Sequence, residues 1–249
     1  MPHFVILPNL PNSRVAVVAV GEDYAAIIST ALEPFGIIAL SCPKNSLLDS
    51  RLSSHIDLSL FHLGGEAFVL AKSLIGSSFS DKLTQMGAKI CYSASDISPK
   101  YPSDAFLCAL TNGSKLFHNE DICDPLINSC YVEKLIHVNQ GYAKCSACLI
   151  NENAAISSDS GIIKAMREQG MDVLEISSCG IQLQGFAHGF IGGAAFKISA
   201  DELAFTGTIN DHPSKADILG FLKLHNIKPV FLTDKPIFDI GSAIPLTEI

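Results

Sequence analysis

Apolar residues along the chain fall into short runs that come in pairs, each pair split by a few polar or glycine positions. The segments LSLFHLGGEAFVLA (58–71), AFLCALTNGSKLFH (105–118), SACLINENAAISS (146–158) and FKISADELAFTG (196–207) share this form. Gly64-Gly65, Asn112-Gly113, Asn151-Glu152-Asn153 and Ala200-Asp201 stand at the breaks. Two strand-length apolar runs about a tight polar turn predict a β-hairpin. A looser copy, FVILPNLPNSRVAVVAV (4–20), opens the chain and makes a fifth predicted hairpin.

After each hairpin the pattern switches to a helical spacing with its own punctuation. The segments are GEDYAAIISTALEPFG, SSFSDKLTQMG, NEDICDPLINSCYVEK, SDSGIIKAMREQG and NDHPSKADILGFLKLHN. Asp23, Ser80, Asp121, Ser158 or Asp159, and Asp211 are the expected N-caps, and Gly36, Gly87, Gly170 and Asn226 the expected left-handed stops. A third apolar run follows each helix: IIALSC, AKICYS, EKLIHV, MDVLEIS and KPVFLTD. The chain therefore reads as strand, strand, helix, strand, repeated every ~40–50 residues.

A unit of that size cannot cover its own sheet and must pack on its neighbours. Five ββαβ units about a pseudo-fivefold axis resemble the pentein fold, the α/β propeller of guanidine-modifying enzymes such as arginine deiminase, dimethylarginine dimethylaminohydrolase and the amidinotransferases. The resemblance covers nearly the whole chain and implies one domain over residues 1–249. The last strand, within GSAIPLTEI (241–249), is expected to close the ring on HFVILP or RVAVVAV near the N-terminus. A doubly wound α/β sheet is the alternative if the ring does not close. The segments QGYAKCSAC (140–148) and GFIGGA (189–194) also resemble an uncharacterised branch of the same superfamily.

Composition narrows the class further. With 48% apolar and 17% charged residues, the 249-residue chain can bury a sizeable core. It carries no uninterrupted apolar run of about 18 residues and no signal-type start, so a cytoplasmic protein without membrane segments is expected. The eight cysteines lie in apolar stretches of a chain too long to need staples, which predicts reduced and mostly buried thiols. A net charge of −8 argues against nucleic acid and anionic membrane as partners and leaves room for a small cationic ligand. No cofactor is implied, and no oligomeric state is fixed.

In penteins the ligand sits in the central channel, against the start of each unit's first strand. The resemblance places Asp57, Asp104, Tyr142, Cys145, His188 and Asp239 there. Guanidine chemistry needs carboxylates to grip a planar cation, a thiolate to attack its carbon and a histidine to move protons. Asp57, Asp104, Tyr142 and Asp239 are the expected ligand-binding residues, and Cys145 and His188 the expected nucleophile and base. Dimethylarginine-hydrolysing penteins carry their cysteine in the closing strand, where this chain has Gly241 and Ser242, and a histidine where it has Tyr142. These departures leave two readings open: a hydrolase or amidinotransferase-like enzyme on a guanidino or amide-like compound, and a pentein that only binds a ligand or macromolecule.

Each candidate also has a plain structural reading. Asp57 and Asp104 suit turns before strands, Asp239 can shape the turn at Gly241, and His188 sits among glycines as a hydrogen-bonded loop residue would. His62 and His118 are expected to be structural, and His212-Pro213 to start a helix. GFIGGAA lacks the spacing of a nucleotide loop and is expected to open a strand. Cys145 and Cys148 form a C-x-x-C, but on a strand the two sulfurs would point to opposite faces, so no metal site is expected.

Overall fold

The computed structural model describes residues 2–249. His3–Phe4 (β1) is followed by Val15–Gly21 (β2), Glu22–Leu32 (α1) and Ile38–Cys42 (β3). The next unit is Leu60–Gly64 (β4), Ala67–Leu70 (β5), Ser78–Gln85 (α2) and Lys89–Tyr92 (β6). Then come Leu110–Thr111 (β7), Leu116–His118 (β8), Pro125–Cys130 (α3) and Leu135–His137 (β9). A single helical turn, Ala143–Ser146 (α4), precedes Ala147–Asn151 (β10), Ala154–Ser157 (β11), Ser160–Glu168 (α5) and Asp172–Glu175 (β12). A matching turn, Ile191–Ala194 (α6), precedes Ala195–Lys197 (β13), Glu202–Phe205 (β14), Lys215–Leu224 (α7) and Lys228–Phe231 (β15). The final strand is Ile244–Glu248 (β16).

These strands form five small sheets, each with an antiparallel pair and a parallel pair joined through a helix. The first unit is assembled differently from the expected hairpin over 4–20. Its strand β2 pairs with β16 from the far end of the chain, and β1 lies on the other side of β16, giving the order β1-β16-β2-β3. Pro8 and Pro11 cannot donate to a ladder, and Asn9 adopts a left-handed φ of 66°, so the segment between β1 and β2 loops away instead of turning back. The closing strand supplies the missing partner, and it takes up both N-terminal strands.

The ring is visible in where the core lies. Five apolar clusters each draw on two successive units, as where Phe68 and Leu70 meet Ala19 and Leu246, and where Ile150 and Ile156 meet Leu203 and Phe205. The core is thus a cycle of inter-unit seams, and burial of these side chains holds the ring together.

The expected helix stops hold: Gly36, Gly87, Gly170 and Asn226 are all left-handed, at φ of 68°, 97°, 79° and 57°. The starts shift. Asp159 caps α5 through the Ile162 N–H, but Ser77 rather than Ser80 caps α2, and Asp124 rather than Asp121 caps α3. Helix α7 begins after Ser214, past His212-Pro213, and α1 begins at Glu22 after Gly21, ahead of Asp23. Among the described residues no helix is long and apolar enough to cross a membrane.

Candidate functional site

Five turns, each leading into the first strand of its unit or the closing strand, face one another around the axis. They are stitched across units by main-chain bonds. Asp57 N donates to Gly241 O at 3.3 Å, Lys144 N to Cys108 O at 2.9 Å, and Ile240 N and Ser242 N both to Gly193 O at 3.0 Å. The buried Lys144 ammonium reaches across to Gly192 O (3.2 Å) and to Ser242 Oγ (2.8 Å). Gly241 is left-handed at φ 66°, and a Cβ on it would run into His55, so glycine there is what lets the closing turn approach the second unit.

On one end of this cluster lies a cavity of about 320 Å³, lined by His55, Tyr142, Cys145, His188, Phe190 and Asp239 with Leu52, Leu58, Leu183, Phe186 and Ala187. Four of the six expected site residues therefore line one cavity. Asp57 and Asp104 stand behind it, buried. Asp57 Oδ2 is 2.6 Å from Cys145 Sγ, and Asp104 Oδ2 accepts the Tyr142 hydroxyl at 2.6 Å. A broader groove of about 960 Å³, over Tyr24, Gln182, Lys235 and Phe238, shares Leu183, Phe186, Ala187 and Asp239 with the cavity.

The carboxylates do not present the open fork that a bidentate grip requires. Both Asp239 oxygens are occupied by main-chain donors, Oδ1 by Gly241 N at 2.8 Å and Oδ2 by Phe190 N at 2.9 Å. Asp239 therefore ties the loop before α6 to the closing turn. His188, half-buried, has Nδ1 at 3.4 Å from Gly189 O and its ring edge-on to Phe190. The loop holding it is anchored from outside by Arg51, which bonds Gly185 O at 3.1 Å and stacks over Phe186.

The C-x-x-C stretch is not a continuous strand. Cys145 lies in the helical turn α4 and Cys148 in β10, because the backbone bonds locally, Ser146 N to Tyr142 O at 2.9 Å, before extending at Ala147. The two sulfurs still diverge, for a different reason than strand alternation. Cys145 packs with Leu58 and Cys108 below the cavity, whereas Cys148 packs with Ile150 and Ile156 in the seam between the fourth and fifth units. GFIGGAA likewise forms the turn α6 before β13, so its glycines serve close packing and not the opening of a strand.

Burial sets the proton chemistry. It pushes Asp57 up to about 6, against smaller opposing contributions from His55, the Cys145 contact and Lys144. Contact with the Cys108 thiol, then burial, then the Asp57 charge hold the Cys145 thiol well above its ordinary value. Burial, followed by the Tyr142–Asp104 bond, raises Tyr142 as well. The residue that sequence reasoning passed over is His55, which is 3% exposed and sits two positions before Asp57. The local signal was the H-x-D pair itself; only the ring brings it to Cys145. His55, Asp57 and Cys145 each bring one potential ligand atom within 4.8 Å of the others.

The arrangement of five sheets about an axis is that of the penteins. Similar solved structures include a DDAH from Pseudomonas aeruginosa complexed with citrulline (8% identity, TM-score 0.55, covering 88% of this chain and 93% of that one). They also include SxtG, an amidinotransferase from Microseira wollei (9% identity, TM-score 0.58, 90% and 91%), and a C. jejuni agmatine deiminase (10% identity, TM-score 0.51, 92% and 90%). At these identities the likeness concerns the fold. By sequence, residues 19–244 match the family described as Family of unknown function (DUF6873), and the chain belongs to that family. No curated protein matches it.

Proposed function

We propose that the whole chain acts as one pentein domain that binds a small guanidino or amide-like compound in the 320 Å³ cavity and attacks its central carbon with Cys145. The observation that carries this reading is the Cys145–Asp57 contact at the cavity wall. A carboxyl raised to about 6 is matched to taking a thiol proton near neutral pH. At rest the thiol stays neutral, since the Cys108 contact, burial and the Asp57 charge all oppose its ionisation. A cationic planar ligand placed over the pair reverses that balance, so ligand binding itself favours the thiolate.

The thiol proton passes to Asp57, sulfur bonds to the guanidino carbon, and the amine leaves with a proton delivered from His188 or His55. Water or a second amine then bonds to the thiouronium carbon, the C–S bond breaks, and the sulfur regains its proton from Asp57. Tyr142, held by Asp104, and Phe190 offer aromatic surface to the cation, worth about 0.5–2 kcal/mol in such settings. Asp239 is a positioning residue, since its oxygens bind main chain. That the similar structures include proteins described as complexed with citrulline or named for agmatine supports a small nitrogen-rich ligand. A pentein that binds such a ligand without turning it over is the second reading, favoured by the neutral, buried thiol.

The test is turnover of a panel of guanidino compounds, followed by ureido product or released amine, on the wild type, Cys145→Ser and Cys148→Ser. Turnover lost in Cys145→Ser and kept in Cys148→Ser supports the enzyme. Compounds that raise the melting temperature of the wild type without product in any case support the binding module. Turnover that survives Cys145→Ser removes the thiol from the mechanism.

A further inference from the structure

The wall of the cavity contains a feature that thiol attack does not require. His55 lies beside Asp57 and Cys145, and His55 Nε2 and Asp57 Oδ1 are buried with no hydrogen-bond partner among the described residues. Buried polar atoms in a folded protein are nearly always paired, and these two belong to residues whose potential ligand atoms lie within 4.8 Å of one another and of that of Cys145. Nearby donors do not supply it. Lys144, next in sequence to Cys145, directs its ammonium to Ser242 Oγ and Gly192 O instead.

We infer that His55, Asp57 and Cys145 form a binding site for one zinc-class divalent ion, with its remaining position open to the cavity. The donors are an imidazole nitrogen, a carboxylate oxygen and a sulfur, a set that suits zinc and excludes a preference for calcium or magnesium. All three residues are at least 97% buried, with exposures of 3%, 1% and 3%. Their ligand atoms lie within 4.8 Å of one another, so small side-chain rotations bring all three to bonding distance of about 2.0–2.3 Å from a common centre. Charge is compatible with the ion too: binding releases the thiol proton, and a divalent cation cancels the two negative charges of the resulting thiolate and the Asp57 carboxylate.

Three protein ligands with one open position is the form of a zinc site that can take water or a small donor ligand. The site arises between units: His55 and Asp57 come from the turn before β4 and Cys145 from α4, brought together by closure of the ring. Cys148, its sequence partner in the C-x-x-C, takes no part. An ion bound here also occupies the sulfur, so metal binding and alkylation of Cys145 exclude each other. The inference concerns the same cavity as the proposed reaction but does not depend on turnover.

The test uses the full-length protein, reduced and stripped with chelator, and titrated with Zn²⁺, Co²⁺, Ca²⁺ and Mg²⁺. Expected are one Zn²⁺ per chain by calorimetry and a thiolate-to-cobalt charge-transfer band in the near ultraviolet with Co²⁺. His55→Gln and Cys145→Ser should each weaken zinc binding by at least about tenfold and Cys148→Ser should leave it unchanged. Circular dichroism establishes that each variant is folded, and the cobalt band needs no variant. Absence of the band in the wild type, or zinc binding in His55→Gln and Cys145→Ser that is unchanged from the wild type, overturns the site. In parallel, 2-chloroacetamidine labelling is read by mass spectrometry on metal-free and zinc-loaded protein. Labelling of Cys145 in the metal-free form that zinc suppresses supports the site, and labelling that zinc leaves unchanged overturns it. Failure of the metal-free protein to label at Cys145 counts against the thiol mechanism alone.

Discussion

Replacing His62 by phenylalanine tests how the ring buries polar groups near its axis. His62 is 3% exposed in β4 and lies flat on Phe68, with ring centroids 4.3 Å apart and planes 11° from parallel. Its Nε2 is 2.8 Å from Gly65 O, which can only accept, so the proton sits on Nε2 and the buried Nδ1 is left without a partner. Burial pushes the imidazole down to about 4 from an ordinary 6.5. Because the folded value is depressed, the unfolded chain takes up the proton first as pH falls. Stability from this residue is therefore complete above about pH 6.5, declines between there and about pH 4, and is level below.

The difference of about 2.5 units sets a ceiling of about 3.4 kcal/mol, of which about 2 kcal/mol is lost by pH 5. Phe keeps the stack and removes the titration, at the cost of one hydrogen bond of about 1 kcal/mol. Asp57 and Lys144 line the small cavity beside His62 and are present in both proteins, as are the buried His118 and His212, so the difference between the two isolates the single ring. Urea denaturation of wild type and His62→Phe between pH 7 and pH 5 is the assay. The wild type should lose about 2 kcal/mol more than the variant over that range. A stability difference that stays flat within a few tenths of a kcal/mol refutes the reasoning.

Two further substitutions probe the site's framework. In Gly193→Ala the new Cβ collides with the Asp239 carboxylate, which holds Phe190 N and Gly241 N, so a loss of at least about 2 kcal/mol is expected in urea denaturation; a wild-type midpoint would show that the loop yields freely. Tyr142→Phe removes the hydroxyl from Asp104 Oδ2 while Oδ1 is already unpartnered, and should cost about 1–3 kcal/mol at pH 7. Burial already raises Asp104 and the lost donor raises it further, so the deficit should shrink as pH falls and the carboxyl is protonated; a deficit that is constant or grows at low pH contradicts this.

What could be read from the sequence follows the range over which each signal acts. The hairpin turns and the four left-handed helix stops depend on a few adjacent residues, and Gly36, Gly87, Gly170 and Asn226 could be placed to the residue. N-caps depend on equally local signals, but SSFSD, NEDICDP and NDHPSK each offer several candidates three positions apart, and helical pattern does not choose between them. The first hairpin failed because its true partner lies more than two hundred residues away, and nothing within 4–20 records that. Turns α4 and α6 are too short to show a period, so Cys145 was read on strand geometry that begins only at Ala147. Tyr142, Cys145, His188 and Asp239, to which the repeat gives equivalent places, all line the 320 Å³ cavity. His55 lines it too and stands in the same turn as Asp57, but no repeat position marks it.

That equivalence also explains how the thiol can sit where it does. Around a pseudo-fivefold axis, each turn before a first strand lies at a similar distance from the centre, so a side chain moved from one unit's turn to another's still faces the channel. Its neighbours change, and they decide its chemistry. At the closing strand the side chain is Ser242, fully buried, strained at φ 72°, and bonded by Lys144 from across the axis. It does not line the cavity, and its oxygen is committed to holding the ring shut. Cys145, two units removed from that strand, instead borders open volume on one side and Asp57 and His55 on the other. A serine–lysine contact at the axis and a thiol–carboxylate–imidazole group beside the cavity thus divide between them what a single turn position would otherwise have to do. The same division is why substitutions at Ser242 should read out in stability, and substitutions at Cys145 in ligand chemistry.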